Sequence, residues 1–589
     1  MLLLGYALSA SFAASLIGLI AAVVIWRKEF YAVLSRSVNA YSLVTLVVLI
    51  SFFAAFSLTQ VTPTSQLYFD ENIYQGIALN ILNHFNAVWC QFGTGYVKTC
   101  FVNEVYHDPV EGSFFIAIAF GIFGVSLNTA YGLELFEGAL FIIAVFLLSS
   151  VLLERKDLAV LATAVFAFMP ELFIWSRTQA DFDLTFGMLA AFAFFFFVVF
   201  TKRPSIRTLA PFSFALLMAV FARNEGAMLL GVFAVAYLTF GESGIKRTFG
   251  ERLRLAIRTI DTNTYALVLL LIFVVLLLPH IYYLSLQFFN PQYGQPSGQG
   301  IVSVQDFLNN LGPNTWYFLG KYNSTGYFPA VFPEVITIVA VAGALLFAMD
   351  ARVKNRFSVL LLLGIWLLAY WTFYTFFYAG SAVYGVDVRF MLQLLPAISI
   401  FAGLAMMELA NMLSDPKRNV RELFTGAKAI GGPGTSVIMR RSSLIAFILI
   451  VAIVVFPFTL LISDITLSPH AMPQQSVIYN AVNFVYNNID AVPANCLVFT
   501  FTPDLFEEFN RSAAQIGYMN GNETVSSNVT GHFSCYVLDY GYWCVVPPNY
   551  NTTCKNIVGQ YKLQPLASQN SGSQYSPPNV SFYRLLNYT

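Results

Sequence analysis

Charge is what this 589-residue sequence has least of. Asp, Glu, Lys and Arg together make up 11% of it and hydrophobic residues 57%, whereas soluble domains carry about 25% charged residues. A water-soluble enzyme is excluded on that ground. Disorder is excluded from the other side, because 58 Phe and 31 Tyr supply far more apolar surface than a disordered chain has. Net charge is missing too: 31 basic residues balance 31 acidic ones, which leaves no basic footprint for nucleic acid. What remains is a polytopic membrane protein.

Runs of about 17–25 apolar residues are the unit of a membrane span. Twelve are present: 2–26, 41–60, 129–152, 157–174, 181–200, 207–222, 225–241, 264–285, 331–349, 357–377, 390–412 and 442–463. Alternate loops between them hold 22 of the 31 basic residues, and the positive-inside rule makes that set cytoplasmic. Both chain termini are then expected outside. Arg27 and Lys28 follow the first apolar segment instead of preceding it, the wrong order for a signal peptide. The stretch 112–124 is too short to cross, and counting it as a span would invert every later loop. It is expected as a short helix of the outer loop 61–128.

All six cysteines, Cys90, Cys100, Cys496, Cys535, Cys544 and Cys554, fall in segments assigned outside, as disulfides in an oxidising compartment would. Cys90 with Cys100 is the pairing expected in the first loop; the other four allow three connectivities. Asn-x-Ser/Thr acceptors at Asn323, Asn510, Asn522, Asn528, Asn551, Asn579 and Asn587 lie on the same side. They suit an archaeal cell membrane or a eukaryotic endoplasmic reticulum membrane. The chain thus divides into a membrane module, 1–463, and an extracytoplasmic domain, 464–589. In the latter, Val477, Ala481, Val482, Phe484 and Val485 have helical spacing, and Cys496–Phe501 reads as a buried strand. A small α/β domain is expected there.

Charged groups are costly inside a bilayer and usually functional. Here they gather at the outer ends of spans: Asp70 and Glu71, His107 and Asp108, Glu111, Glu134 and Glu137, Arg177, Asp181 and Asp183, Arg223 and Glu225, Asp387 and Arg389. A transporter would want them near the midplane; a rim of mixed charge suits chemistry at the outer leaflet. Asp70 and Glu71 open a helix whose residues Tyr74, Ile77, Ala78, Ile81, Leu82 and Phe85 form one apolar stripe, the pattern of a helix lying in the interface. The acidic pair reads either as a helix cap or as a general base held at the membrane surface. Arg177 and Asp181, four apart, read as a helix-end ion pair or as part of a second acidic cluster facing the first. Arg223 reads as an interface anchor in a tight hairpin, and Arg389 as a snorkelling residue or a phosphate ligand.

In order along the chain, Asp70-Glu71 with Tyr74, His107-Asp108-Pro109 leading into a short apolar helix, Ser176-Arg177 with Asp181, and Arg389-Phe390 before Leu394-Leu395-Pro396 resemble the GT-C glycosyltransferases. The resemblance is nearest to glycosyltransferase family 39, which includes protein O-mannosyltransferases and the lipid A aminoarabinose transferase. It covers about residues 40–410 and implies a polyprenyl-phosphate sugar donor. It also implies that Asp70 is the catalytic base, that Glu71 lies beside it in the sugar pocket, and that Arg389 meets the carrier phosphate. The family's His-Pro-Pro or Lys-Pro-Pro reads His107-Asp108-Pro109 here. Asp181-Phe182-Asp183 is also similar to the second acidic motif of the oligosaccharyltransferase catalytic subunit, a metal-dependent relative, although that subunit's Trp-Trp-Asp motif is absent.

The expectation is therefore inverting transfer of a sugar to a hydroxyl of a protein, lipid or glycan. Asp70 is the base, and Glu71, Tyr74, His107, Asp108, Arg177, Asp181, Arg223 and Arg389 bind substrate. Asp181 and Asp183 are the residues to hold Mg²⁺ or Mn²⁺ through carboxylate oxygens if a metal is used, and the polar segment 286–330 is a mobile loop long enough to close over the site. The alternatives are a lipid-linked sugar flippase or permease and a metal-dependent oligosaccharyltransferase-like enzyme.

Overall fold

A computed structural model of the chain describes residues 2–35, 37–63, 70–93, 95–105, 112–177, 182–239, 264–289, 302–319, 332–349, 354–378, 380–382, 386–414, 444–467, 473–520, 531–541, 544, 548–570 and 579–586. The first helices are α1 (Leu2–Ile25), α2 (Arg27–Leu34), α3 (Ala40–Gln60), α4 (Asp70–His84), α5 (Ser113–Phe123) and α6 (Leu127–Leu153). They are followed by α7 (Lys156–Ala167), α8 (Pro170–Trp175), α9 (Phe182–Lys202), α10 (Ile206–Ala222) and α11 (Met228–Thr239).

Among the described residues, seven helices are long and apolar enough to cross a membrane: Leu3–Ile25, Ala40–Gln60, Leu127–Leu153, Phe182–Lys202, Thr264–Gln287, Val359–Phe376 and Val388–Leu413. Four further expected spans form shorter apolar helices, Ile206–Ala222, Asn224–Leu238, Glu334–Leu346 and Leu444–Leu460. The stretch 157–174 differs most. It breaks at Phe168 and Met169, and α8 begins at Pro170, where a missing amide costs nothing because first-turn amides lack intrahelical partners.

Local signals fix the ends. Asn39 and Ser42 close a capping box at the start of α3, with Ser42 N donating to Asn39 Oδ1 at 2.9 Å and Asn39 N to Ser42 Oγ at 3.0 Å. Ser126 accepts from Thr129 N at the start of α6. Within the bundle, α9 and Leu395–Ser414 lie at the centre, while α1, α3 and Thr264–Phe289 turn wide apolar faces outward, as lipid-facing helices do.

The C-terminal part is built on a mixed sheet. Its strands are β1 (Trp89–Gly93), β2 (Cys100–Glu104), β3 (Cys496–Thr500), β4 (Ser512–Gln515), β5 (Cys535–Tyr540), β6 (Leu563–Asn570) and β7 (Asn579–Leu585), in the order β2-β1-β4-β3-β5-β7-β6. Strands β4, β3 and β5 are parallel and the other pairings antiparallel. The fully buried β3 is the continuous apolar run that a central parallel strand requires. Two strands come from the 61–128 segment, so the sheet crosses the boundary placed at 463/464. Disulfides join Cys90 to Cys100, Cys496 to Cys535 and Cys544 to Cys554, which settles the connectivity left open by the sequence.

Helix α4 sits where the two parts meet. Its apolar stripe is present, but it does not lie half in water: Glu71 to Ile81 are all buried. The apolar side packs on α5, and the polar side meets β1 and the short helix Pro503–Glu507. Trp89 Nε1 donates to both carboxylate oxygens of Asp504, each at 3.1 Å. That carboxylate lies so close to Gly76 that a Cβ there would overlap it. Periodicity identified the helix but not its cover, which comes from residues more than 400 positions away.

Asp539, at the end of β5, is 4% exposed and accepts from Thr500 Oγ1 at 2.8 Å. Burial pushes its carboxyl up to about 7, against the lowering effect of that hydrogen bond. The folded chain therefore keeps this proton to a higher pH than the unfolded chain, whose Asp titrates near ~3.9. This contribution to stability is full below about pH 4 and falls as pH rises to about 7. Asp539→Asn is expected to unfold at higher temperature than wild type at pH 8, by the equivalent of roughly 2–4 kcal/mol, with the gap closing toward pH 4. Thermal unfolding in detergent across that range tests it, and a pH-independent gap would refute the assignment.

Candidate active site

Among the described residues, three chain segments bring four charged side chains together. Helix α9 starts with Phe182 and Asp183, an acid at a helix N-terminus where the dipole favours it. Arg223 leaves the end of α10 in extended conformation, at φ −149° and ψ 151°, ahead of the turn Asn224–Ala227. That turn is tight enough that a Cβ on Gly226 would stand 2.6 Å from the Ala219 carbonyl oxygen. Arg389 lies in the 3-10 segment Val386–Leu394, which leads into Leu395–Ser414.

Asp183 is fully buried, and its Oδ2 faces two guanidinium groups: Arg223 Nη1 at 3.2 Å and Arg389 Nε at 3.4 Å. Arg223 Nε also donates to Glu225 Oε1 at 3.1 Å, and Tyr374 OH donates to the same oxygen at 3.0 Å. Tyr370 OH reaches the Glu225 carbonyl at 3.4 Å, and Gln393 Nε2 donates to the Asp183 carbonyl at 3.1 Å. Both guanidinium groups stand over the Phe390 ring, 5.2 Å away for Arg223 and 5.0 Å for Arg389, while Tyr374 stacks on it. Arg223 and Arg389 are thus turned inward, not anchored at an interface or snorkelling. Among the described residues, two carboxylates face two cations, which is how a low-dielectric site tolerates charge.

Helix α4 adjoins this cluster through Tyr74. Tyr74 packs on Phe182, the residue before Asp183, with ring centroids 4.1 Å apart. Gly112, just before α5, is held so near the same ring that a Cβ would stand 2.6 Å from it. Glu71, three residues before Tyr74 on α4, is buried. Asp70 is the first residue of α4; its side chain, that of Asp387, and residues His107, Asp108, Glu111 and Asp181 lie outside the described residues.

Among the described residues, Arg177 has different partners from Arg223 and Arg389. Its Nε donates to the Val61 carbonyl at 3.5 Å, and its guanidinium lies 5.8 Å from the Tyr131 ring centroid. Burial lowers its pKa from the ordinary value, against the raising influence of Tyr131. Glu137 accepts from Thr185, and Glu134 is buried nearby on α6. Sequence reasoning missed Glu171, which accepts from Tyr317 OH. The clue was an acid next to a proline inside an apolar run.

An apolar groove of about 720 Å³ is lined by Met228, Val304, Ile365, Leu368, Phe373 and Phe376 among others. Met228 follows the turn that carries Glu225, and Phe373 precedes Tyr374.

Neither a protein-family model nor a curated protein matches the chain. Solved structures do. ArnT from Cupriavidus metallidurans in the apo state aligns with a TM-score of 0.51 at 13% identity, over 92% of this chain and 97% of ArnT. ArnT bound to undecaprenyl phosphate gives 0.50 at 13% identity, over 93% and 98%. The archaeal oligosaccharyltransferase AglB from Archaeoglobus fulgidus, in complex with an inhibitory peptide and a dolichol-phosphate, gives 0.48 at 15% identity, over 85% and 69%. ArnT is a GT-C glycosyltransferase. The chain has the GT-C fold.

On this GT-C scaffold the described residues do not fit a divalent cation. No group of three or more His, Cys, Asp or Glu side chains with metal-binding geometry occurs among them. Asp183, the one described residue of the expected pair, already faces two guanidinium groups, so a cation there would meet two positive charges.

The segment expected as a mobile loop carries a docked helix, Val304–Tyr317. Asn314 Nδ2 donates to the Gly380 carbonyl at 2.8 Å and its Oδ1 accepts from Ala382 N at 2.9 Å; Asn310 Nδ2 donates to the carbonyls of Thr375 and Phe377. Asn314→Ala would leave two buried backbone groups unpaired, at roughly 1–3 kcal/mol each. Hydrogen exchange across 302–319 is expected to accelerate at least tenfold in that variant. Unchanged exchange would show that the asparagines do not hold the helix.

Proposed function

We propose that the protein transfers a sugar from a polyprenyl-phosphate-linked donor to an acceptor hydroxyl at the extracytoplasmic face of the membrane. The observation that carries this reading is the pair of inward-turned guanidinium groups, buried Arg223 and half-buried Arg389, in a helical module that also carries an apolar groove. A phosphate attached to a long isoprenoid needs both features: cationic donors for its oxygens and an apolar surface for its tail. ArnT, with which the chain shares its fold, has been crystallised with undecaprenyl phosphate.

Asp70, at the head of the buried α4, is the base that takes the acceptor proton. Glu71 and Tyr74 form the wall of the sugar pocket toward Asp183, with His107, Asp108, Asp181 and Arg177 toward carrier or acceptor. A phosphate leaving group needs positive charge more than a proton donor, and Arg389 with Arg223 supplies it. Attack from the face opposite the phosphate inverts the anomeric carbon, by the logic of single-displacement glycosidases. A lipid-linked donor also suits this topology, in which the sheet domain and both termini face away from the cytoplasm of an archaeal cell membrane or an endoplasmic reticulum membrane. The donor set around Asp183 favours transfer without a metal.

Purified protein supplied with polyprenyl-phosphate sugars and a membrane extract as acceptor is expected to transfer label in the presence of EDTA. Asp70→Asn should lower the rate by about 10²–10⁴, and Arg389→Ala by about 10². Full activity of Asp70→Asn would remove the proposed base. Lipid movement without transfer by wild type would establish the flippase alternative instead.

A further inference from the structure

Resting on the transferase reading, we infer that Asp183 is an internal counter-ion that competes with the carrier phosphate for Arg223 and Arg389 and so drives release of the spent carrier. The two guanidinium groups approach one atom, Asp183 Oδ2, at 3.2 and 3.4 Å. An anion that bridges both arginines must therefore occupy the place of that oxygen or lie directly beside it. A carboxylate in that position fills the anion site when no phosphate is there and repels one that arrives.

The consequence follows from the charge change in the reaction. The donor is a phosphodiester with one negative charge. During transfer the bond from the anomeric carbon to the phosphate oxygen breaks, and the acceptor oxygen bonds to that carbon. The acceptor proton passes to Asp70, and the phosphate departs with the electron pair as a monoester carrying close to two charges near neutral pH. A fixed anion beside the arginines therefore penalises the product more than the substrate. It keeps a two-arginine clamp, which would otherwise hold a dianion tightly, from being trapped with its product.

The surroundings support exchange of this kind. Arg223 keeps a second anion, Glu225, which Tyr374 fixes in place; it can turn from Asp183 to a phosphate without losing its orientation. Phe390 under both guanidinium groups supports their planes in either state. Gln393 anchors the Asp183 main chain, so the carboxylate stays in place while its partners change.

The test uses the full chain in detergent and compares inhibition by undecaprenyl phosphate and dolichyl phosphate with the KM for the matching sugar donor. In Asp183→Asn the inhibition constant is expected to fall about tenfold or more, while the donor KM falls severalfold at most, and turnover becomes limited by product release. Asp183→Glu, which keeps the charge, should leave the ratio of the two constants near that of wild type. A folded Asp183→Asn protein with an unchanged or raised inhibition constant overturns the inference and leaves the transferase reading standing. If wild type neither transfers sugar nor binds either polyprenyl phosphate, the reading itself falls and the inference with it. Should Asp183→Asn fail to fold, Glu225→Gln removes the second anion facing Arg223 and is expected to shift the ratio the same way by a smaller factor. An unchanged ratio there overturns the inference equally.

Discussion

A guanidinium group cannot be left alone in a protein core at membrane level. Arg223 and Arg389 have to be neutralised where they stand, and that requirement decides how the middle of this protein is assembled. Asp183 can meet both only if the start of α9, the turn after α10 and the segment Val386–Leu394 come to one place. The turn then needs Gly226, because a side chain there would strike the end of α10. Tyr374 must come close enough to bond Glu225, which fixes the end of Lys354–Phe376. Removing one partner from such a set leaves an uncompensated buried charge, worth about 3–5 kcal/mol, so these segments are bound to one another.

Helix α4 is held by a different constraint. One side is apolar enough to join the membrane module, and the other carries Asn72, Gln75 and Asn80, all buried. Buried amides need partners; Asn80 bonds the Val88 carbonyl. The cover on that side is the sheet domain, through Trp89 and Asp504, with Gly76 allowing the approach. Burial raises the Asp504 carboxyl well above the usual carboxylate range, although the Trp89 indole opposes this.

What was legible in the sequence is what local chemistry encodes. Apolar length and basic loops marked the spans that became long helices. Insufficient length marked Ser113–Phe123 as a separate helix, and helical spacing from Val477 to Val485 marked Pro473–Asn488. The strand at Cys496 was visible because a central parallel strand is apolar throughout. Partnerships across hundreds of residues were not visible. Nothing around Trp89 or Cys100 says that their hairpin will add to a sheet begun at Cys496, since the strand edge it covers lies far along the chain. Asn310 and Asn314 look like ordinary polar loop residues until the carbonyls they bond are known. The rim charges were recognised as a set, yet which arginine would find which acid depends on how three turns pack.

This arrangement separates the tasks that the proposed reaction sets. The groove and the two arginines belong to the membrane module, and a donor's lipid and phosphate are chemically the same whatever the acceptor. The acidic pair belongs to α4, which also contacts the sheet domain along its polar side. A base that must meet many possible hydroxyls is better carried by the element that touches the variable part of the protein. The sheet domain meets the membrane module at α4, through β1 and Pro503–Glu507, and at the start of α6, where Leu127 packs against the sheet-domain core. On the proposed reading, a change in that domain's surface would act on the acceptor side through α4, while Asp183 and the two arginines, held to one another by their ion pairs, would keep the donor side unchanged.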